Sequence, residues 1–245
     1  MRSRALSEAE LTIAWQAASL LLDYPDDETF ARRPLLREAV AALPAAVGGP
    51  LGRFLDHLDT TTPAALAADY VATFDHRKRC CLYLTYYAYG DTRKRGMALL
   101  RFKHAYRAAG LVLGDGELPD HLAVVLEFAA TGDAEQGRRL LTEHRAGLEL
   151  LRLALDEAGS PWVDVIEAIS ATLPPATGRD RDAVARLAAA GPPEEEVGLA
   201  PYGVDPGLYE RGSAGERGPA GQGAPVLPGA SIGHGAQARP KEARP

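Results

Sequence analysis

Cysteine is nearly absent: 245 residues carry two, adjacent at Cys80 and Cys81. Neighbouring thiols cannot close a long loop, and two are too few for a disulfide scaffold or a four-ligand zinc site. The pair reads as reduced thiols within a helix. Long hydrophobic runs are missing too, so no single segment reaches the roughly 18 apolar residues a membrane-crossing helix needs. The Ala/Leu stretch around Trp15 is bounded by acids and lacks the core and cleavage site of a secretory signal, so a cytoplasmic protein is expected. Catalytic signatures are absent as well: no phosphate-binding Walker loop, no dinucleotide fingerprint, no nucleophile elbow and no zinc-protease helix. Histidines at positions 57, 76, 104, 121, 144 and 234 include no pair at helical i, i+4 spacing. Asp26-Asp27-Glu28 and Glu194-Glu195-Glu196 are carboxylate runs, not opposed pairs. Together these absences argue against an enzyme and against a resident metal or cofactor.

What is present is helical periodicity. Leu11, Ala14, Trp15, Ala18, Leu21 and Leu22 form one face of a first helix, with Ser7 and Glu10 placed as a capping box and Pro25-Asp26 as its stop. A second helix is expected over Leu35 to Leu43, with Gly48-Gly49-Pro50 breaking the chain after it. Pro63 starts a helix whose stripe is Leu66, Tyr70 and Phe74. Arg93 to Ala109 is another, capped by Asp91 or Thr92 and ended by Gly110. Further helices are expected after Pro119-Asp120, over Ala134 to Ala158 with a break at Gly147, from Ser160-Pro161 to Leu173, and over Asp180 to Ala190. Leu82 to Tyr89 suits a strand or a helix; its helical neighbours favour helix. The fold class is all-α, a single helical-bundle domain.

Composition changes after Leu173, where residues 174–245 hold 11 of the 18 prolines and 13 of the 25 glycines. The organisation expected is a helical domain over 1–190, a docking strap over 191–205 built on Val197, Leu199 and Tyr202, and a disordered Pro/Gly-rich tail over 206–245.

The densest segment is Asp69 to Phe128. Five tyrosines fall between Tyr70 and Tyr89, and nine Lys/Arg against one acid fall between His76 and Arg107. The net charge of the whole chain is −6, so the basic stretch is a local asymmetry. One reading is a helical nucleic-acid-binding regulator using the 77–107 stretch. Against it, Arg93-Lys94-Arg95 stands in a first helical turn, where the macrodipole disfavours cations, and the overall balance is acidic. The tyrosines favour a peptide-recognition surface, because phenol rings give amphipathic contact area at low entropic cost. In Glu117-Leu118-Pro119-Asp120-His121, proline sets a turn, Asp120 is placed to cap the next helix, and His121 can bond a ligand backbone.

At these residues the chain resembles the NarJ-type assembly chaperones of respiratory nitrate reductase, within the TorD/DmsD/NarJ group of redox-enzyme chaperones. The matching elements are Asp69-Tyr70-Val71, Thr73-Phe74-Asp75, LYLTYY at Leu82 to Tyr87, Gly90 to Gly96, LPDHL at Leu118 to Leu122, and Leu126-Glu127-Phe128. Leu21 to Pro25 (LLDYP) and the EEEVGL segment fit as well, and the similarity spans about Ala9 to Tyr202. Ala123 departs from it, standing where a second proline is expected. The resemblance implies an all-helical, non-enzymatic chaperone. Its partner would be the molybdenum-containing catalytic subunit of nitrate reductase, bound through that subunit's N-terminal peptide while molybdenum cofactor and iron–sulfur centres are inserted. Molybdenum cofactor biosynthesis proteins are further candidate partners; nucleic acid and direct membrane insertion are not expected. The peptide would lie along Tyr70, Phe74, Tyr83, Tyr86 and Tyr87, with Asp75, Asp120 and His121 fixing its polar end.

Overall fold

The computed structural model describes residues 5–114 and 116–191. The expected strap and tail lie outside these residues. Helix α1, Glu8–Leu22, opens with the anticipated box: Ser7 Oγ accepts from the Glu10 amide at 3.2 Å, and the Glu10 carboxylate accepts from the Ser7 amide at 2.7 Å. The short α2, Asp27–Ala31, was not evident from periodicity. Asp26 caps it, so part of the acidic run serves a helix terminus, and these backbone donors hold the Asp26 carboxyl below its ordinary range.

Helices α3, Arg33–Ala41, and α4, Ala45–Thr60, correct the expected break at Gly48-Gly49-Pro50, all three of which lie inside α4. Pro50 sacrifices one backbone bond near the start of the helix. Burial of Val47, Leu51, Phe54, Leu55 and Leu58 along one face outweighs that loss. Helix α5, Pro63–Tyr70, carries proline at its first position and is capped by Thr62. It runs into a π-helical turn, Val71–Asp75, and a 3₁₀ turn follows at Lys78–Cys80.

The stretch expected as a helix from Leu82 to Tyr89 is mostly something else. Only Tyr86–Tyr89 is helical, as α6. Tyr83 makes an isolated antiparallel bridge with His121, through Leu84 N to Asp120 O at 3.0 Å and Leu122 N to Leu82 O at 2.9 Å. Tyr83, Tyr86 and Tyr87 therefore do not share a helical face. The pairing between segments distant in the chain overrides local spacing, since strand preference depends on the cross-strand context a residue meets.

Helix α7 spans Arg93–Ala108, α8 Leu122–Thr131, α9 Ala134–Glu143, α10 Arg145–Glu157, α11 Val163–Thr172 and α12 Gly178–Ala190. The break between α9 and α10 falls at His144, not Gly147. Gly147 is needed for packing instead: a Cβ there would come within 3.0 Å of the Tyr87 ring.

Helix α1 is central, packing on α8 and α11, while α4 lies on α11 and α10 lies between α11 and α12. Their shared core holds Trp15, Leu22, Phe54, Leu126, Ile166 and Leu155, all essentially inaccessible to water. Buried polar groups fix the helices in register. Trp15 Nε1 donates to Thr172 Oγ1 at 2.9 Å, Ser19 Oγ to the Ala123 carbonyl at 2.8 Å, and Trp162 Nε1 to the Leu21 carbonyl at 3.1 Å. Among the described residues no strand forms, and no helix is long and apolar enough to cross a membrane.

Candidate functional site

Three segments meet where α1 ends. Asp23 and Tyr24 follow α1; Tyr70 and Phe74 come from α5 and the π-helical turn; Tyr83 and His121 come from the bridge. Phe74, four residues after Tyr70, lies against it across the π-helical turn, at 4.8 Å between ring centroids. Trp162 lies beneath both, at 5.7 Å from Tyr70 and 5.3 Å from Phe74. Tyr24 packs edge-on to Tyr70 at 5.6 Å, and Tyr83 edge-on to His121 at 5.3 Å. Tyr24 is exposed, while Phe74, Tyr83 and His121 are half-buried, so the aromatic patch is open to solvent above an aromatic floor.

Carboxylates surround it. Burial raises the Tyr70 phenol well above its ordinary range, and Asp23, Asp75 and Glu117 lie near enough to add to the rise. Glu117 and Asp23 also act on His121. All three acids are exposed, and none makes an ion pair among the described residues. The surface is therefore apolar and aromatic with unneutralised negative charge at its edge, a combination that selects cationic amphipathic ligands.

Under the patch is a polar cluster centred on Asp120. Its Oδ2 accepts from the Thr85 amide at 3.1 Å and from Thr85 Oγ1, and stands 3.6 Å from Arg95 Nη2. Arg95 also donates through Nε to Thr85 Oγ1 at 3.2 Å, pairs with Asp91 at 2.9 Å, and lies 5.2 Å over the Tyr83 ring. Asp120 is completely buried, and His121, not Asp120, is the residue at the N-cap of α8. The expectation that Asp120 caps that helix is corrected: its carboxylate turns inward to hold the Leu82–Thr85 segment.

Of the residues expected to meet a ligand, the structure brings Tyr70, Phe74, Asp75, Tyr83 and His121 into one region. Tyr70 is mainly floor, its hydroxyl donating to the Leu22 carbonyl at 3.0 Å. Tyr86 and Tyr87 are buried elsewhere, against each other and α10. The Tyr87 hydroxyl donates to the carbonyls of Arg79 and Cys81 at 3.1 and 2.9 Å, so its polar end is engaged within the fold. Asp23, Tyr24, Glu117 and Trp162 were not singled out as site residues. The LLDYP stretch was the one available signal for the first two, since nothing local says that the end of α1 meets Phe74.

The basic stretch is divided by the fold. Arg79 pairs with Glu157 at 3.1 Å, Arg101 with Glu143 at 2.7 Å, and Arg95 points inward. Burial pushes the Cys81 thiol up to about 11 and raises Cys80 as well, so both are protonated and weakly nucleophilic at neutral pH. Cys80 lies in the 3₁₀ turn, not in an α-helix.

Burial lowers both His121 and His144 below the ordinary 6.5; nearby carboxylates oppose the shift at each, and the Leu140 carbonyl also opposes it at His144. Each imidazole then binds fewer protons folded than unfolded just below that value. Stability should rise with pH through this window, level off above about 6.5, and be lost on acidification. Melting temperature measured against pH should show this slope, and the His121→Gln/His144→Gln double variant should flatten it.

Residues 40–167 match the family model described as nitrate reductase delta subunit. The chain belongs to this family. It is 30% identical over 169 residues to a probable nitrate reductase molybdenum cofactor assembly chaperone NarJ of Bacillus subtilis, a match covering 69% of this chain and 92% of that protein. It is 37% identical over 115 residues to the Escherichia coli K12 nitrate reductase molybdenum cofactor assembly chaperone NarJ, covering 46% and 49%. With the nitrate reductase-like protein NarX of Mycobacterium tuberculosis it shares 42% identity over 160 residues, 65% of this chain but only 24% of that longer protein. The matched family region includes the π-helical turn, the Tyr83–His121 bridge and Asp120, whereas Asp23 and Tyr24 lie before it.

Proposed function

We propose that this chain is an assembly chaperone for a molybdenum-containing nitrate reductase and that it holds the N-terminal peptide of the catalytic subunit in the groove between Tyr24, Phe74, Tyr83 and His121. The observation that carries the reading is the open aromatic patch rimmed by unpaired Asp23, Asp75 and Glu117. Family membership and the similarity to nitrate reductase molybdenum cofactor assembly chaperones support the chaperone role and its client class. The bound segment would be an amphipathic helix with a cationic flank. Its apolar residues would pack on Phe74 and Tyr83, its Lys or Arg side chains would face the three carboxylates, and the half-buried His121 would bond its backbone. Tyr70 and Trp162 act as a rigid floor, and Asp120 acts by positioning Tyr83 and His121. Holding this end would keep the apoprotein available while its molybdenum cofactor and iron–sulfur centres are inserted. These are the client's cargo and have no place in the chemistry of the chaperone itself.

Calorimetric titration with a peptide copying the client's N-terminal segment tests this. Saturable one-to-one binding is expected, weakening with salt because exposed carboxylates contribute. Phe74→Ala with Tyr83→Ala should cost about 2–4 kcal/mol of binding if these rings are the anchors. A folded double variant with unchanged affinity would sink the placement.

A further inference from the structure

We infer that the cavity between α7 and the loop following it is a second anchor point for the same client segment, receiving an apolar side chain that has an acidic neighbour. This rests on the peptide-binding reading above. The cavity measures about 280 Å³ and is walled by Gly96, Leu99, Leu100 and Lys103 of α7 and by Leu113 and Leu118 of the loop. Its lining residues Glu117, Leu118 and Pro119 lead along the chain through the buried Asp120 to His121, which packs edge-on to Tyr83 in the aromatic patch. Glu117 belongs to both places, lining the cavity while lying near enough to act on Tyr70 and His121. The cavity and the patch are therefore joined by the short segment from Glu117 to His121, a span that a bound peptide can bridge.

No described residue covers this surface. Of nine exposed large hydrophobic residues among the described residues, Leu100 and Leu118 line it, and Met97, Leu111 and Val112 stand within two positions of its lining in the chain. Val112 is 89% exposed and Met97 70%. Isolated exposed aliphatics need no explanation, but a cluster beside a cavity marks a contact surface. Charge identifies the complement. Lys103 on the cavity wall, with Arg93, Lys94 and Arg107 on the same helix, makes no ion pair among the described residues, whereas Arg79, Arg95 and Arg101 all do. An acidic neighbour on the inserted residue matches Lys103.

Gly96 is the telling position. It lies inside a helix, where glycine is unfavourable, yet a Cβ built there meets nothing within 4 Å. No packing constraint within the domain requires its small size, so a side chain placed there would project into the cavity that Gly96 lines.

Gly96→Leu places a Cβ that meets no neighbour, occupies part of the cavity and favours the helix, so the melting temperature should hold or rise. Affinity for the client's N-terminal peptide should fall roughly tenfold, the order expected for losing one buried aliphatic contact. Lys103→Glu should weaken binding too, and its effect should shrink in high salt. If the wild-type chain binds no peptide, the underlying reading fails and this inference with it. If the wild type binds and Gly96→Leu binds equally well, the second anchor alone is overturned. If the free protein sediments as a dimer that Val112→Asp converts to monomer, a second copy covers this face, which also overturns it.

Discussion

Asp120→Ala is expected to destabilise the domain by about 3–5 kcal/mol, the cost of removing one member of a buried charge pair. The Asp120 carboxylate satisfies the Thr85 amide and hydroxyl and faces Arg95, whose side chain is only 12% exposed. Deleting it leaves the Thr85 amide without its acceptor and the guanidinium without its buried counter-charge. Asp91, which is exposed, and Thr85 Oγ1 remain as Arg95's partners and replace little of that. Asp120→Asn keeps an acceptor for the Thr85 amide while losing the charge, so it should fall between wild type and alanine. A double variant that also replaces Arg95 by methionine should recover part of the loss, because the orphaned charge goes too. Urea unfolding with an unchanged m-value would measure all four. A loss below about 1 kcal/mol for Asp120→Ala would show that the buried pair does not hold the bridge. Where the variant stays folded, a weaker Tyr83–His121 bridge should also appear as reduced peptide affinity, since both groove walls hang from it.

Trp162→Ala should be comparably severe, at about 3–5 kcal/mol. The indole is almost fully buried, lies 5.5 Å from Phe54, and underlies both Tyr70 and Phe74. Its Nε1 donates to the Leu21 carbonyl, tying α11 to the last turn of α1. Truncation opens a cavity at the junction of three helices and leaves that carbonyl unpaired. For a domain of this size the loss corresponds to a melting-temperature drop of roughly 10 °C. Trp162→Phe keeps a ring under Phe74 but loses the donor, so its stability cost should be smaller and peptide binding largely retained. If Trp162→Ala melted normally and bound peptide normally, Trp162 would not be the floor of the groove.

These two positions mark how much was legible in advance. Asp120 was visible as part of a distinctive turn, but its local signal, an acid two residues before a helix, pointed to capping. The inward turn of its carboxylate depends on Thr85 and Arg95, which are distant in sequence. Trp162 gave no functional signal at all, because a tryptophan beside an apolar helical stripe reads as core, and it is core. Its second role arises from which rings the packing places above it. The tyrosine-rich segment misled for a related reason: side-chain spacing in Leu82 to Tyr89 fits a helix, and the pairing of Leu82 to Leu84 with Asp120 to Leu122 overrules it.

The sequence by itself determined the all-helical class, most helix starts and stops, and the family, because apolar periodicity, capping residues and compact motifs are local properties of the chain. Tertiary structure decided which aromatic residues are core and which are surface. It buried Tyr70, Tyr86 and Tyr87 while leaving Tyr24, Phe74 and Tyr83 accessible, and it collected Asp23, Asp75 and Glu117 from three separate segments around them. Burial and charge proximity depend on contacts between residues far apart in the chain, and helical periodicity carries no information about which helix each face will meet.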